Sequence, residues 1–146
     1  MRITWNENIQ PHHKELILEM LTELEWLIPG WVQEMPINVW SSDDHSKVMS
    51  VEPDYAYRFV RLNVFANWLN QSREDQFRQM IHELAHIPIA LVADHAEAAF
   101  HTLLEDCPYR TSLLQELTTR NESATCDITE AIYRKVYAAD VRWAGH

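Results

Sequence analysis

The stretch His82-Glu83-Leu84-Ala85-His86 decides how the rest of this chain is interpreted. On a helix, two histidines four residues apart project from the same face, so both imidazoles can bind one divalent metal ion. The intervening Glu83 is then placed to act as a general base. The pentapeptide therefore predicts a metal site with His82 and His86 as ligands, provided that the surrounding chain forms a helix and supplies a further ligand.

Composition places the chain among ordinary globular proteins. It has 146 residues, of which 47% are hydrophobic and 23% are charged, so we expect residues 1–146 to form a single soluble domain. We expect neither a membrane nor a nucleic-acid partner, because no apolar run approaches a membrane span and the formal net charge is -10. The first eleven residues lack the features of a secretory signal, and Cys107 and Cys126 are too few for a disulfide framework. These features favour a cytoplasmic location.

The first half of the chain predicts one helix followed by a small sheet. Pro11 opens a helix whose apolar residues recur at helical spacing until Pro29 and Gly30 stop it. Strands are expected at residues 37–40, 47–51 and 55–65, with turns at 41–44 and 52–54. The pattern predicts about three strands in a mainly antiparallel sheet. An edge of this sheet beside the motif helix would offer main-chain hydrogen bonds to an extended peptide.

The second half predicts helices, which makes the fold class α+β. Ser72 is a plausible N-cap, with Asp75 three residues later, for a motif helix that begins at about Arg73. Pro88 is expected to kink or end this helix just after His86, because proline lacks the amide proton. A second helical stretch follows over residues 90–104. Residues 109–144 contain neither proline nor glycine and predict one long helix or two abutting helices.

A catalytic zinc ion usually takes three protein ligands and one water, so a third ligand is needed. The metzincin pattern is excluded, because Ile89 and Val92 stand at its glycine and histidine positions. Glu122 lies within a downstream helix that can pack antiparallel to the motif helix, and we take it as the third ligand. Five alternatives stay open on the sequence alone: Asp94, Glu97, Glu116, Cys126 and Glu130.

The motif at residues 82–86, followed by Glu122 in a later helix, resembles the gluzincin metallopeptidases. The closest likeness is to the small minigluzincins, which include phage-encoded and SprT-like or ImmA-like enzymes, and it covers residues 37 to about 136. The resemblance implies a zincin-like fold with an N-terminal helix, a small sheet whose edge strand follows the cleft, the motif helix and a later helix carrying the ligand glutamate. Larger gluzincins have an acidic residue four positions after that glutamate, where this chain has Cys126 followed by Asp127. Peptide deformylases are disfavoured, because their cysteine ligand lies upstream of the motif and both cysteines here lie downstream.

The resemblance implies a zinc-dependent peptidase that acts on a peptide or protein substrate. Zn²⁺ would be held by His82, His86 and Glu122, and Glu83 would take a proton from the attacking water and pass it to the leaving amine. Two other hypotheses stay open: a catalytically idle zincin-fold binding or assembly module that keeps a structural metal, and a helical interaction domain with an accidental motif. Candidates for the hydrogen-bond donor to the tetrahedral oxyanion are His95, His101, Tyr109 and Tyr133, among which the sequence does not choose.

Overall fold

A computed structural model describes residues 1–6, 9–40, 47–137, 139–140 and 142–143, which form four strands and four α-helices. The elements follow one another in this order: β1 (Arg2–Trp5), α1 (Pro11–Glu23), β2 (Glu34–Trp40), β3 (Met49–Asp54), β4 (Phe59–Phe65), α2 (Ala66–Leu69), α3 (Arg73–Leu103) and α4 (Pro108–Ile132). A 3₁₀ turn at Glu25–Leu27 follows α1, and a π-helical turn at Tyr133–Tyr137 follows α4. The expectation of an α+β fold is confirmed, and the turn predicted at 41–44 lies outside the described residues.

The sheet has the strand order β1-β2-β4-β3. Strand β2 pairs in parallel with both β1 and β4, while β3 pairs antiparallel with β4. The prediction of a three-stranded, mainly antiparallel sheet is therefore wrong. It missed β1, a four-residue strand that pairs with a strand about thirty residues away, so no local hairpin signal marks it.

The β3–β4 hairpin reverses later than the sequence suggested. The predicted turn at 52–54 is wrong, because β3 continues through Pro53 to Asp54 and the chain reverses over residues 55–58. Arg58 completes the reversal in the left-handed region, with φ of 57°. Pro53 is tolerated because β3 is an edge strand and a proline there removes no ladder hydrogen bond when its nitrogen faces outward.

One face of the sheet carries the hydrophobic core. Alternate residues of β4, namely Val60, Leu62 and Val64, are fully buried. They share one cluster with buried residues of α1, of α3 and of the C-terminal turn. The opposite face is polar, and on it the Asn38 side-chain amide donates a hydrogen bond to Oδ1 of Asn63. This one-sided packing holds the first half of α3 firmly against the sheet.

Helix α3 runs unbroken for 31 residues with Pro88 inside it. Pro88 was expected to kink or end the helix; the expected end, and the separate helical stretch after it, are therefore wrong. The proline removes the hydrogen bond to the Leu84 carbonyl, but its own ring is exposed and the helix continues on either side. The last buried side chain of α3 is Ile87, and the buried side chains of α4 are Thr125 and Thr129. The distal halves of α3 and α4 thus form a hairpin that extends beyond the core.

Candidate metal centre

Helix α3 presents the two motif histidines on one face. Its N-terminus is fixed by Ser72, whose hydroxyl accepts a hydrogen bond from the Asp75 main-chain N–H at 3.1 Å. The rings of His82 and His86 have their centroids 4.7 Å apart, and their Nε2 atoms lie 3.1 Å apart. Both Nε2 atoms therefore point into a common space at the surface of the helix.

Helix α4 returns antiparallel to α3 and brings Glu122 into that space. The direction follows from two pairs of contacts, since Arg78 meets Glu130 while the later His86 meets the earlier Thr125. One oxygen of Glu122, Oε1, lies 2.9 Å from Nε2 of His82, and Oε2 lies 3.3 Å from Nε2 of His86. The structure thus brings together the three side chains that the sequence proposed as ligands.

The donor set and its spacing fit a divalent metal ion. Within the described part of the chain, His82, His86 and Glu122 form the group of three whose ligand atoms all lie within 4.8 Å of one another. Two ligand atoms bound tetrahedrally to zinc at about 2.0–2.1 Å lie about 3.3 Å apart, close to the separations found here. Two nitrogens and one carboxylate are the ligand types of catalytic zinc sites. The Glu122 side chain is 56% exposed, so solvent can reach the site.

Thr125 supports His86 from behind. Its hydroxyl lies 3.3 Å from Nδ1 of His86 and donates its proton to the Asn121 carbonyl at 2.8 Å. Because the proton is used in that bond, the hydroxyl accepts from Nδ1–H, and Nε2 of His86 then carries a lone pair. Burial, followed by the neighbouring His82, lowers the pKa of His86 and favours this neutral ring. A lone pair facing another imidazole and a carboxylate creates a site for a cation.

Glu83 lies on the inner side of the helix and is 7% exposed. Burial raises the pKa of its carboxyl group to about 7, and the charge of Glu122 adds to the rise. Two hydrogen bonds oppose the shift: Gln79 Nε2 donates to Glu83 Oε1 at 2.8 Å, and the Val51 main-chain N–H donates from β3. A carboxyl group with a pKa near neutrality can both accept and return a proton, as a general base and acid must.

Two depressions flank the histidines. The first, of about 310 Å³, lies between β3 and α3 and is lined by Ser50, Val51, Pro53, Glu83, His86, Ala90 and Asp94. The second, of about 270 Å³, lies between α3 and α4 and is lined by Gln71, Asp75, Arg78, Gln79, His82, Cys126, Thr129 and Glu130. The strand beside the first depression is the edge strand β3. A sheet edge beside the motif helix was expected from the last strand of the sequence pattern. The edge is formed instead by β3, because the last strand, β4, lies inside the sheet.

The five alternative third ligands lie outside the cluster formed by His82, His86 and Glu122. Three of them face other side chains: Glu97 lies near His101, Glu116 near Arg120, and Glu130 near Arg78 and Arg134. Asp94 lies at the far end of the first depression, and Cys126 is exposed one turn after Glu122. None of these five belongs to the three-residue cluster of the described chain.

The four residues considered as oxyanion donors line neither depression. His95 and Tyr109 are exposed, and His101 faces Glu97 at 3.9 Å. Tyr133 is buried beneath the Arg78 guanidinium, which lies 3.9 Å from its ring centroid. The sequence interpretation missed Gln79 and Thr125, whose only signal was helical spacing from Glu83 and Glu122.

Comparison with protein-family models, with curated proteins and with solved structures gives no significant match. The resemblance to minigluzincins therefore stays a prediction, and what points to a function is the geometry of residues 79–86 and 122–125. Among the described residues, no helix is both long enough and apolar enough to cross a membrane.

Proposed function

We propose that this protein is a metal-dependent hydrolase of peptide bonds, with His82, His86 and Glu122 holding a single zinc ion. The observation that carries the proposal is the convergence of these three side chains within 4.8 Å, from two helices, at an open surface. A site with three protein ligands that stays open to solvent has the form of a catalytic rather than a structural zinc site.

Glu83 is the proposed general base. It adjoins His82 in the chain, is fixed by Gln79 and by the Val51 main chain, and has a pKa of about 7. A divalent cation bound by the three ligands would act as a Lewis acid toward a peptide carbonyl and an attacking water. Glu83 would accept the proton of that water and then donate it to the leaving amine.

The buried state of Glu83 favours an enzyme over a binding or assembly module. Burying a carboxyl group disfavours its charged form, and a purely structural metal site gains nothing from such a group beside an open position. Perturbed carboxyl groups in clefts are typical of functional sites.

Metal analysis and a cleavage assay together test the proposal. Purified wild-type protein is expected to hold about one equivalent of zinc and to cleave an unstructured protein such as casein or a peptide library. Glu83→Gln is expected to retain the metal but to lose cleavage by about 100-fold or more, because the general base is removed. Equal turnover by the wild type and Glu83→Gln, or no zinc in the wild type, would overturn the proposal.

A further inference from the structure

The depression between β3 and α3 continues away from the candidate metal centre and ends at Asp94. Residues 83, 86, 90 and 94 line it because they fall on one face of α3. Asp94 is eight residues beyond His86, which corresponds to about 12 Å along the helix axis. The cleft is therefore long enough for several residues of an extended peptide, each spanning about 3.3 Å.

Main-chain carbonyl groups at the free edge of β3 can accept hydrogen bonds from a ligand in this cleft. The Phe65 N–H donates to the Val48 carbonyl, so the antiparallel register directs the main-chain groups of residues 50, 52 and 54 toward β4. The main-chain groups of residues 51 and 53 consequently face the cleft. The N–H of Val51 is already bonded to Glu83, and Pro53 has no N–H. Val51 and Pro53 therefore present only their carbonyl oxygens to a ligand in the cleft.

Asp94 adds a negative charge at the far end. It is exposed and lines the cleft. Its neighbour is the Tyr55 hydroxyl, which is shielded from solvent and interacts with the Asp94 carboxylate. Burial, and then the carboxylate of Asp94, raise the pKa of Tyr55 to about 12. The neutral phenol can donate a hydrogen bond to Asp94, but it carries no positive charge of its own.

We infer that the far end of this cleft binds the side chain of a lysine or arginine two or three residues from the scissile bond of the substrate. The inference rests on the proposed peptidase function. A carboxylate and two carbonyl oxygens together favour a ligand that carries several donors and a positive charge. The α-ammonium group of a substrate cleaved at its first bond would lie beside the metal centre, about 12 Å from Asp94 along the helix axis, and could not contact that carboxylate.

A peptide library with one varied position at a time tests this assignment. Wild-type protein is expected to prefer lysine or arginine at one position two or three residues from the cleaved bond. Asp94→Asn is expected to lose about tenfold in kcat/KM on the basic peptide, with its neutral counterpart unaffected. Asp94→Lys is expected to prefer glutamate or aspartate at the same position. Glu105→Gln removes an equivalent exposed carboxylate outside the cleft and should leave the preference unchanged.

The two proposals fail in different ways. Cleavage that depends on Glu83 but shows no basic preference, or a preference that survives in Asp94→Asn, overturns the assignment of Asp94 and leaves the peptidase proposal standing. A requirement for a free substrate N-terminus also overturns the assignment of Asp94. Equal turnover of the library by the wild type and Glu83→Gln overturns both proposals.

Discussion

The Thr125 hydroxyl of α4 lies 3.3 Å from Nδ1 of His86 on α3. It connects the helix that carries Glu122 with the second histidine, three residues after the carboxylate that completes the cluster. Residues that hydrogen-bond the far nitrogen of a ligand histidine fix its tautomer and its orientation. Thr125 thus supports His86 from the helix that carries Glu122.

Thr125→Val is expected to weaken zinc affinity by about 10-fold to 100-fold, because Nδ1–H of His86 loses its acceptor in a buried place. Competition with a chromophoric chelator measures the affinity, and Thr125→Ser should restore it. Thr129→Val is the matched control, since the Thr129 hydroxyl is buried on the same helix but donates to the Thr125 carbonyl. Equal losses in Thr125→Val and Thr129→Val would show that helix packing, not the contact with His86, sets the affinity.

Substitutions at Glu122 and Cys126 distinguish a carboxylate from a thiolate as the third ligand. Glu122→Gln is expected to reduce zinc affinity by more than the roughly 100-fold that supporting residues contribute, since it removes a charged ligand. Cys126→Ala should bind about one equivalent, as the wild type does, because Cys126 lies outside the cluster. Cobalt substitution gives an independent measurement, because a cysteine ligand would add a thiolate charge-transfer band to the absorption spectrum. The appearance of such a band in the wild type would contradict the Glu122 assignment.

The raised pKa of Glu83 predicts that this residue lowers the free energy of unfolding of the metal-free protein in a pH-dependent way. The folded state binds the Glu83 proton more tightly than the unfolded state does. The destabilisation is therefore absent below pH 4.5 and grows as the pH rises toward 7. Above about pH 7, Glu83→Gln should be more stable than the wild type by up to about 3 kcal/mol. Denaturant unfolding of both proteins from pH 4 to pH 8 in the presence of a chelator measures the difference.

The control for this pH series is Glu105→Gln, at an exposed position in the α3–α4 connection. Its effect on the free energy of unfolding should be small at every pH. A difference between Glu83→Gln and the wild type that stays constant from pH 4 to pH 8 would contradict the raised pKa.

Pro88→Ala tests the continuity of α3. The substitution restores an N–H that can donate to the Leu84 carbonyl, and it is expected to stabilise the protein by about 1–3 kcal/mol. Leu91→Ala, at a half-exposed position one turn later, should change stability by less than about 1 kcal/mol. Thermal unfolding of the metal-free proteins provides the comparison. Destabilisation by Pro88→Ala would indicate that α3 breaks at this point.

Local signals were sufficient for part of the fold. Ser72 caps α3 as the capping pattern indicated, and Pro11 opens α1. Pairings between distant segments were not accessible, since β1 reads as a strand only beside β2. Pro53 was expected in a turn, and Pro88 was expected to kink or end α3, but both lie within regular structure. At Pro53 the edge strand needs no donor, and at Pro88 the helix tolerates one missing hydrogen bond.

The sequence by itself determined that His82 and His86 share a helix face with Glu83 between them, because that relation depends on helical periodicity alone. It also marked Glu122 as a carboxylate on a later helix. The tertiary structure decided which of six carboxylates and thiols approaches the histidines, since that depends on how α4 packs against α3. It also decided that Thr125 supports His86, that Glu83 is buried against β3, and that Asp94 ends the cleft. Each of these depends on contacts between elements that no local pattern encodes.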